Sequence, residues 1–311
     1  MVFKRIRAIV LYAPLLLCVW SVSAQNVKLA VMPETPRLGE AFSVGIKITG
    51  AYQAQLRAVL VNAAGQRLNS APCFTVEPAL AMQAAILSVP STAQAGTARI
   101  QIESGATLLA ERPITILDRL FASEEISLDA RNTALRTEAD PQKTRESNLL
   151  WAILTHTGAE LYTSDAFILP VSPPRRTSFF GDRRIFRYSN GASDRSIHAG
   201  IDYGVPTGTP VRACAAGRVV LASFRIVTGN SVVIEHLPGV YSLYYHLSTL
   251  NVASGDILSA GDCIGESGAT GLATGPHLHW EIRVATENSD PEVFLARPIL
   301  DKAALFDKLE Q

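Results

Sequence analysis

Phe42, Val44, Ile46 and Ile48 alternate with small or polar residues after Leu38-Gly39-Glu40. A period of two places alternate side chains on opposite faces, the pattern of a strand with one face buried. Similar short runs cover 56–61, 85–89, 99–102 and 113–117, each closed by turn residues. Strands this short reach a core only by stacking sheets, so the chain is expected to be mainly β, with an immunoglobulin-like β-sandwich over 26–117. That stretch holds one cysteine and no tryptophan. The label therefore describes architecture, and the segment, which also lacks histidine, is expected to bind or space rather than catalyse.

Residues 118–171 carry more charge and one helix signal. Asp140 before Pro141 reads as an N-cap with proline at the first helical position, Leu150, Ile153 and Leu154 form an apolar stripe, and Gly158 offers the stop. His156 then falls in the last turn, where an imidazole can cap free carbonyls. The run Pro170-Val171-Ser172-Pro173-Pro174-Arg175-Arg176 marks a boundary, after which glycines from Gly204 to Gly275 punctuate short apolar runs. An antiparallel β domain over 172–300 is expected there.

With 48 % apolar and 18 % charged residues the chain can bury a core, and 28 basic against 28 acidic residues leave no surplus charge for a phosphate backbone. Nucleic acid is excluded as a partner. Lys4, Arg5 and Arg7, an apolar stretch over 8–20 and Val22-Ser23-Ala24 before Gln25 read as a cleavable signal peptide over 1–24. Export follows, with no membrane span after cleavage. Leu17 before Cys18 is too large for a lipidation site. Cys73, Cys214 and Cys263 remain in the mature chain, too few for a disulfide framework. If two of them bond, Cys214 and Cys263 are the expected pair; otherwise they are small buried hydrophobes.

Five of six histidines lie between His198 and His279. In His277-Leu278-His279 the two imidazoles share a strand face with Glu281 and Arg283, while Leu278, Trp280, Ile282 and Val284 share the other. Such a pair can bind a metal jointly, or one member can bind while its neighbour works on substrate. In His198-Ala199-Gly200-Ile201-Asp202 a nitrogen and an oxygen donor four apart can converge on one ion if the chain turns. Tyr244-Tyr245-His246-Leu247 ends the second strand of a hairpin that turns at Pro238-Gly239. His236 is expected to be structural or on the surface, and Glu281 to make an ion pair or support a ligand.

These units, with Thr177-Ser178-Phe179-Phe180-Gly181-Asp182-Arg183-Arg184, Gly208-Thr209-Pro210-Val211, Gly268-Ala269-Thr270-Gly271 and Gly275-Pro276 before His277, resemble the lysostaphin and LytM-type zinc metallopeptidases over about the last third of the chain. The resemblance implies an antiparallel β peptidase domain of the LytM type (the duplicated hybrid motif). It implies one Zn²⁺ per chain held by His198, Asp202 and His279, with His246 and His277 lining the cleft as the catalytic pair. It also implies a zinc endopeptidase that uses activated water on the peptide cross-links of peptidoglycan, in the periplasm or cell wall, with the N-terminal sandwich contacting the wall or an envelope partner protein. No H-E-x-x-H supplies a glutamate base, so proton transfer falls to His246 and His277. The competing reading is a catalytically latent LytM-like regulator or activator of another wall hydrolase, yet such relatives usually lose ligands and here none is missing. A third reading, a phosphotransfer or biotin-type carrier, is opposed by the signal peptide and by the absence of a lysine at the relevant turn.

Overall fold

A computed structural model describes residues 26–49, 55–173 and 175–311; the expected signal peptide over 1–24 lies outside the described residues. Eight strands come first: β1 (Asn26–Met32), β2 (Ala41–Thr49), β3 (Leu56–Asn62), β4 (Arg67–Pro72), β5 (Phe74–Glu77), β6 (Met82–Ser88), β7 (Gly96–Ser104) and β8 (Thr107–Ile116). They form two four-stranded sheets, ordered β1-β2-β6-β5 and β4-β3-β7-β8. Phe42, Val44, Ile46 and Leu87 of the first sheet meet Leu60, Ile100, Ile102 and Ile114 of the second in a buried core. The alternating residues of β2 thus fill the space between the sheets, as their period requires.

The middle segment contains β9 (Ser123–Ser127), α1 (Ala130–Thr137) and α2 (Pro141–Thr155). Helix α2 starts as its sequence predicts, with the Asp140 carboxylate accepting the Gln142 N–H at 2.6 Å. Its Leu150, Ile153 and Leu154 pack on Val233, Leu243 and Tyr245. His156 is the exposed C-cap, and its backbone N–H, rather than its imidazole, bonds the Ala152 and Ile153 carbonyls. Helix α1 has no apolar stripe to announce it. It is fixed by an Asp129 cap on the Asn132 N–H at 2.7 Å and by burial of Asn132 and Thr133.

The remaining strands are β10 (Arg176–Ser178), β11 (Arg183–Arg187), β12 (Ser193–Ile197), β13 (Gly200–Tyr203), β14 (Pro210–Arg212), β15 (Gly217–Arg225), β16 (Gly229–Leu237), β17 (Val240–Leu247), β18 (Thr249–Leu250), β19 (Ile257–Leu258), β20 (Cys263–Glu266), β21 (Leu278–Val284) and β22 (Glu287–Ser289). Helices α3 (Pro291–Ala296) and α4 (Lys302–Glu310) follow. The main sheet runs β10-β13-β21-β17-β16-β15-β19, with β22 on β21, and its pairings are antiparallel. Small sheets β12-β11-β9 and β14-β20-β18 flank it. Strand β9 pairs in parallel with β11, so the middle segment is woven into the C-terminal part.

The half-buried reading of β2 holds for only one of its faces. Ala41, Ser43 and Gly45 alternate with the core-facing residues and are buried as well, and α4 lies against β2 at Gly45. Their small size permits this approach: a Cβ on Gly45 would already stand 3.3 Å from Leu305 Cδ2. Leu305 and Leu309 are fully buried there, each contributing about 2 kcal/mol. The first sandwich sheet is therefore covered on both faces, and one apolar cluster runs from Ala41 and Ile86 through Phe294 and Leu305 to Trp280.

All three described cysteines are free, so Cys214 and Cys263 do not pair. Cys263 is exposed on β20, whereas Cys214 faces the buried His236 and its thiol is pushed up to about 12 by burial. His236 is wholly buried inside β16 rather than at the surface, between the Ala216 carbonyl at 2.8 Å and Ser242 Oγ at 2.7 Å. Burial pushes its imidazole down to about 4. The unfolded chain then binds the proton more readily, so stability present above about pH 6.5 is lost as the pH falls toward 4, by about 3 kcal/mol. Denaturant unfolding of the metal-free protein across this range should show that loss, and His236→Gln, although less stable at pH 7, should show a correspondingly shallower slope. Equal slopes would remove His236 as the cause.

Candidate metal centre and cleft

Strand β13 places Asp202 directly opposite His279 of β21. The two strands lie unusually close at Gly200, where a Cβ would stand 2.1 Å from the Trp280 carbonyl oxygen; only glycine fits. His198 enters from the turn after β12, its backbone fixed by N–H to Asp182 O and by its own carbonyl accepting Gly181 N–H, both at 2.9 Å. The result is a cluster of three donors. His198 Nε2 lies 3.1 Å from Asp202 Oδ1 and 3.0 Å from His279 Nδ1, and the last two atoms are 2.7 Å apart.

Which ring nitrogen faces the cluster is decided by the other nitrogen. His198 Nδ1 donates to the Phe179 carbonyl at 2.7 Å, which turns the lone pair of Nε2 inward. His279 Nε2 donates to Glu281 Oε1 at 3.0 Å, which turns Nδ1 toward Asp202, and Glu281 is anchored by Arg283 Nε at 2.9 Å. The Tyr245 ring stacks on His279 at 5.5 Å and 5°. This is the outer support that metal-binding imidazoles require. Two nitrogens and one carboxylate oxygen, buried and facing one another, suit Zn²⁺, for which tetrahedral ligands stand about 3.3 Å apart. The electrostatics agree. Burial opposes charge on His279, but Asp202 and Glu281 outweigh it and push its pKa up to about 9. Burial likewise opposes the Asp202 carboxylate, but the two histidines hold it well below the usual range. The cluster attracts a cation.

His246 and His277 stand above this floor with ring centres 4.7 Å apart. His246, next to last in β17, has φ +62°, a left-handed conformation costly outside glycine. It is held there by N–H to Thr228 O and by Nδ1–H to Thr270 O, both at 2.8 Å. His277 donates Nδ1–H to the Gly275 carbonyl at 2.8 Å. Both rings therefore carry a bare Nε2, and that of His277 is 3.9 Å from Asp202 Oδ1. Burial, with the charges of His277 and His279, pushes His246 down to about 3, so it is neutral at physiological pH.

A cleft of about 350 Å³ opens over the cluster. One wall carries Glu124, Ile126, Leu128 and Phe186, the other Leu272, Thr274 and Pro276. Of the five residues singled out from the sequence, Asp202, His246, His277 and His279 line it, and His198 lies behind them against Asp202 and His279. His156 and His236 lie elsewhere. Glu281 supports His279, as expected. Arg184, inside a quoted motif but given no role, reaches Asp202 Oδ2 at 2.8 Å, and Glu124, which no sequence signal marked, reaches Arg184.

Residues 196–291 match peptidase family M23. The chain is similar to the DD-carboxypeptidase/endopeptidase Mpg of Neisseria meningitidis, 46 % identical over 112 residues, and to the peptidoglycan DD-endopeptidase ShyA of Vibrio cholerae, 40 % identical over 110 residues. Each match covers 35 % of this chain but only 26 % and 25 % of those proteins. The crystal structure of a protein described as a peptidase M23 from Pseudomonas aeruginosa superposes with a TM-score of 0.57 at 24 % identity, covering 84 % of this chain and 94 % of that one. That likeness extends the shared fold well beyond residues 196–291.

Glu281→Gln should weaken Zn²⁺ binding by about 10–100-fold, measured by chelator competition, because it removes the carboxylate that orients His279 and raises its basicity. Unchanged affinity would exclude Glu281 from the centre.

Proposed function

We propose, from a C-terminal part that matches peptidase family M23, that the chain is an exported zinc endopeptidase acting on the peptide cross-links of peptidoglycan. The observation that carries this reading is the convergence of His198 Nε2, Asp202 Oδ1 and His279 Nδ1 at the floor of a cleft into which two further imidazoles are aimed. Those three atoms would hold one zinc ion, which would supply Lewis acidity and bring the pKa of a water to about 7.

The chain's own residues supply the rest. His246, neutral and with Nδ1–H committed to Thr270 O, offers Nε2 as a proton acceptor. His277, with Nδ1–H committed to Gly275 O, offers a second Nε2 across the cleft. Between them they divide two duties, taking a proton from the attacking water and, once protonated, donating to the oxyanion or the leaving amine. Glu281 is not available as a base, since His279 and Arg283 occupy both its oxygens.

The names of the two relatives support peptidoglycan peptides as substrate. Periplasm or cell wall is the matching location, supported by the signal sequence, and no described helix is long and apolar enough to cross a membrane. The domains are read as 26–117, 118–171 and 172–300. The strand order β1-β2-β6-β5 against β8-β7-β3-β4 supports an immunoglobulin-like sandwich, which we assign to contact with the wall or an envelope partner. The complete ligand set and both cleft histidines favour an active enzyme over a silent regulator.

Mass spectrometry of isolated sacculi incubated with the zinc-loaded chain should reveal muropeptides absent from a His279→Ala blank, and that variant should also fail to retain zinc. Zinc at full occupancy in His279→Ala sinks the ligand assignment. His246→Ala should keep its zinc while turnover falls by about 10²–10⁴-fold; normal turnover makes His246 a structural residue.

A further inference from the structure

Arg184 of β11 lines the cleft beside the metal ligands. Its Nη2 donates to Asp202 Oδ2 at 2.8 Å and to Ser178 Oγ at 2.7 Å, while its Nε donates to Glu124 Oε1. Glu124 sits opposite Arg184 in the parallel pairing of β9 with β11, so the backbone itself brings the two side chains together. Ser178 Oγ is 3.0 Å from Glu124 Oε1 and closes the triangle. Only 14 % of the Arg184 side chain and 12 % of that of Asp202 reach solvent. A charge-assisted contact shielded to this degree is strong and directional.

The two oxygens of Asp202 are thereby separated in function. Oδ1 faces the imidazole nitrogens of His198 and His279, and Oδ2 is turned to the guanidinium. A carboxylate with both oxygens free can grip a cation through both, and the second oxygen then occupies space that water would take. We propose that Arg184, braced by Glu124, is a positioning residue that restricts Asp202 to single-oxygen ligation and so keeps a coordination position of the metal open for water and substrate. The inference rests on His198, Asp202 and His279 being the ligands. Lysine is a poor substitute, because a planar guanidinium spans Glu124 and Asp202 at once and an ammonium does not. Both Glu124 and Arg184 lie outside 196–291, the stretch that matches the family. The metal centre thus extends into the middle segment.

The test uses the full chain, stripped of metal and loaded with one equivalent of Co²⁺, whose visible bands are intense in four-coordinate sites and weak in five-coordinate ones. The wild type should give intense bands. Arg184→Met should still bind Co²⁺ but with clearly weaker bands, and kcat on a cross-linked peptide should fall by about 10–100-fold. Arg184→Lys should restore part of both, and Glu124→Gln should shift both in the same direction by less. A fold brace alone would lower the melting temperature and leave the spectrum untouched. Wild-type spectra in Arg184→Met and Glu124→Gln overturn the proposal. If Arg184→Met does not fold, Glu124→Gln decides, since its side chain is one-third exposed and isosteric. Absence of Co²⁺ binding in the wild type, matching a His279→Ala control, overturns the ligand assignment itself.

Discussion

The close approach of β13 to β21 is the constraint on which the candidate site depends. Without a side chain at Gly200 the two backbones meet, Asp202 falls opposite His279, and a carboxylate oxygen and an imidazole nitrogen come within 2.7 Å of each other. At that distance the carboxylate and the imidazole must share a proton or a metal cation. The surroundings strengthen that demand. Phe179 O and Glu281 fix the outer nitrogens, and apolar Leu278, Trp280 and Ile282 hold the strand from its other face. Separation of polar and apolar residues along β21 thus serves folding and the site together.

Much of this was legible in the sequence, and the exceptions have identifiable physical origins. Alternation around Phe42 and a proline-marked cap at Asp140 are local signals, and both elements form where those signals place them. Sequence spacing alone placed His277 and His279 on one face. In the structure β21 begins at Leu278, so His279 joins the floor while His277, bridged to Gly268 just outside the strand, stands in the approach. The resemblance to known peptidases separated those roles; periodicity did not. Helix α1 escaped notice because ARNTALRT has no apolar stripe and depends on its cap and its docking. The contact between Glu124 and Arg184 is tertiary, made by a parallel pairing across distant segments, and leaves no mark in either segment alone.

The middle segment is more than a linker between two globular parts. Strand β9 carries the carboxylate behind Arg184. Helix α2 sends Glu146 to the Ile226 N–H at 2.9 Å, gripping the turn whose Thr228 carbonyl holds the strained backbone of His246. One end of the segment therefore lines the cleft, and the other braces the turn behind His246. The tight geometry that left-handed His246 requires is supplied by contacts from outside its own strand, as expected where strain persists in a native structure.

The double covering of the β1-β2-β6-β5 sheet has a mechanical meaning. A domain joined to its neighbour by a linker can swing, and whatever it grips can lie at a range of distances from the cleft. Here Gly45 is roofed by Leu305 and Leu309 from the far end of the chain, and Ala41 belongs to the same apolar cluster, so swinging would mean opening an apolar core. The sandwich and the candidate metal centre are consequently tied through one apolar cluster. Anything bound to the sandwich would be held at a set distance and heading from the candidate site, and the fold would act as a ruler rather than a tether.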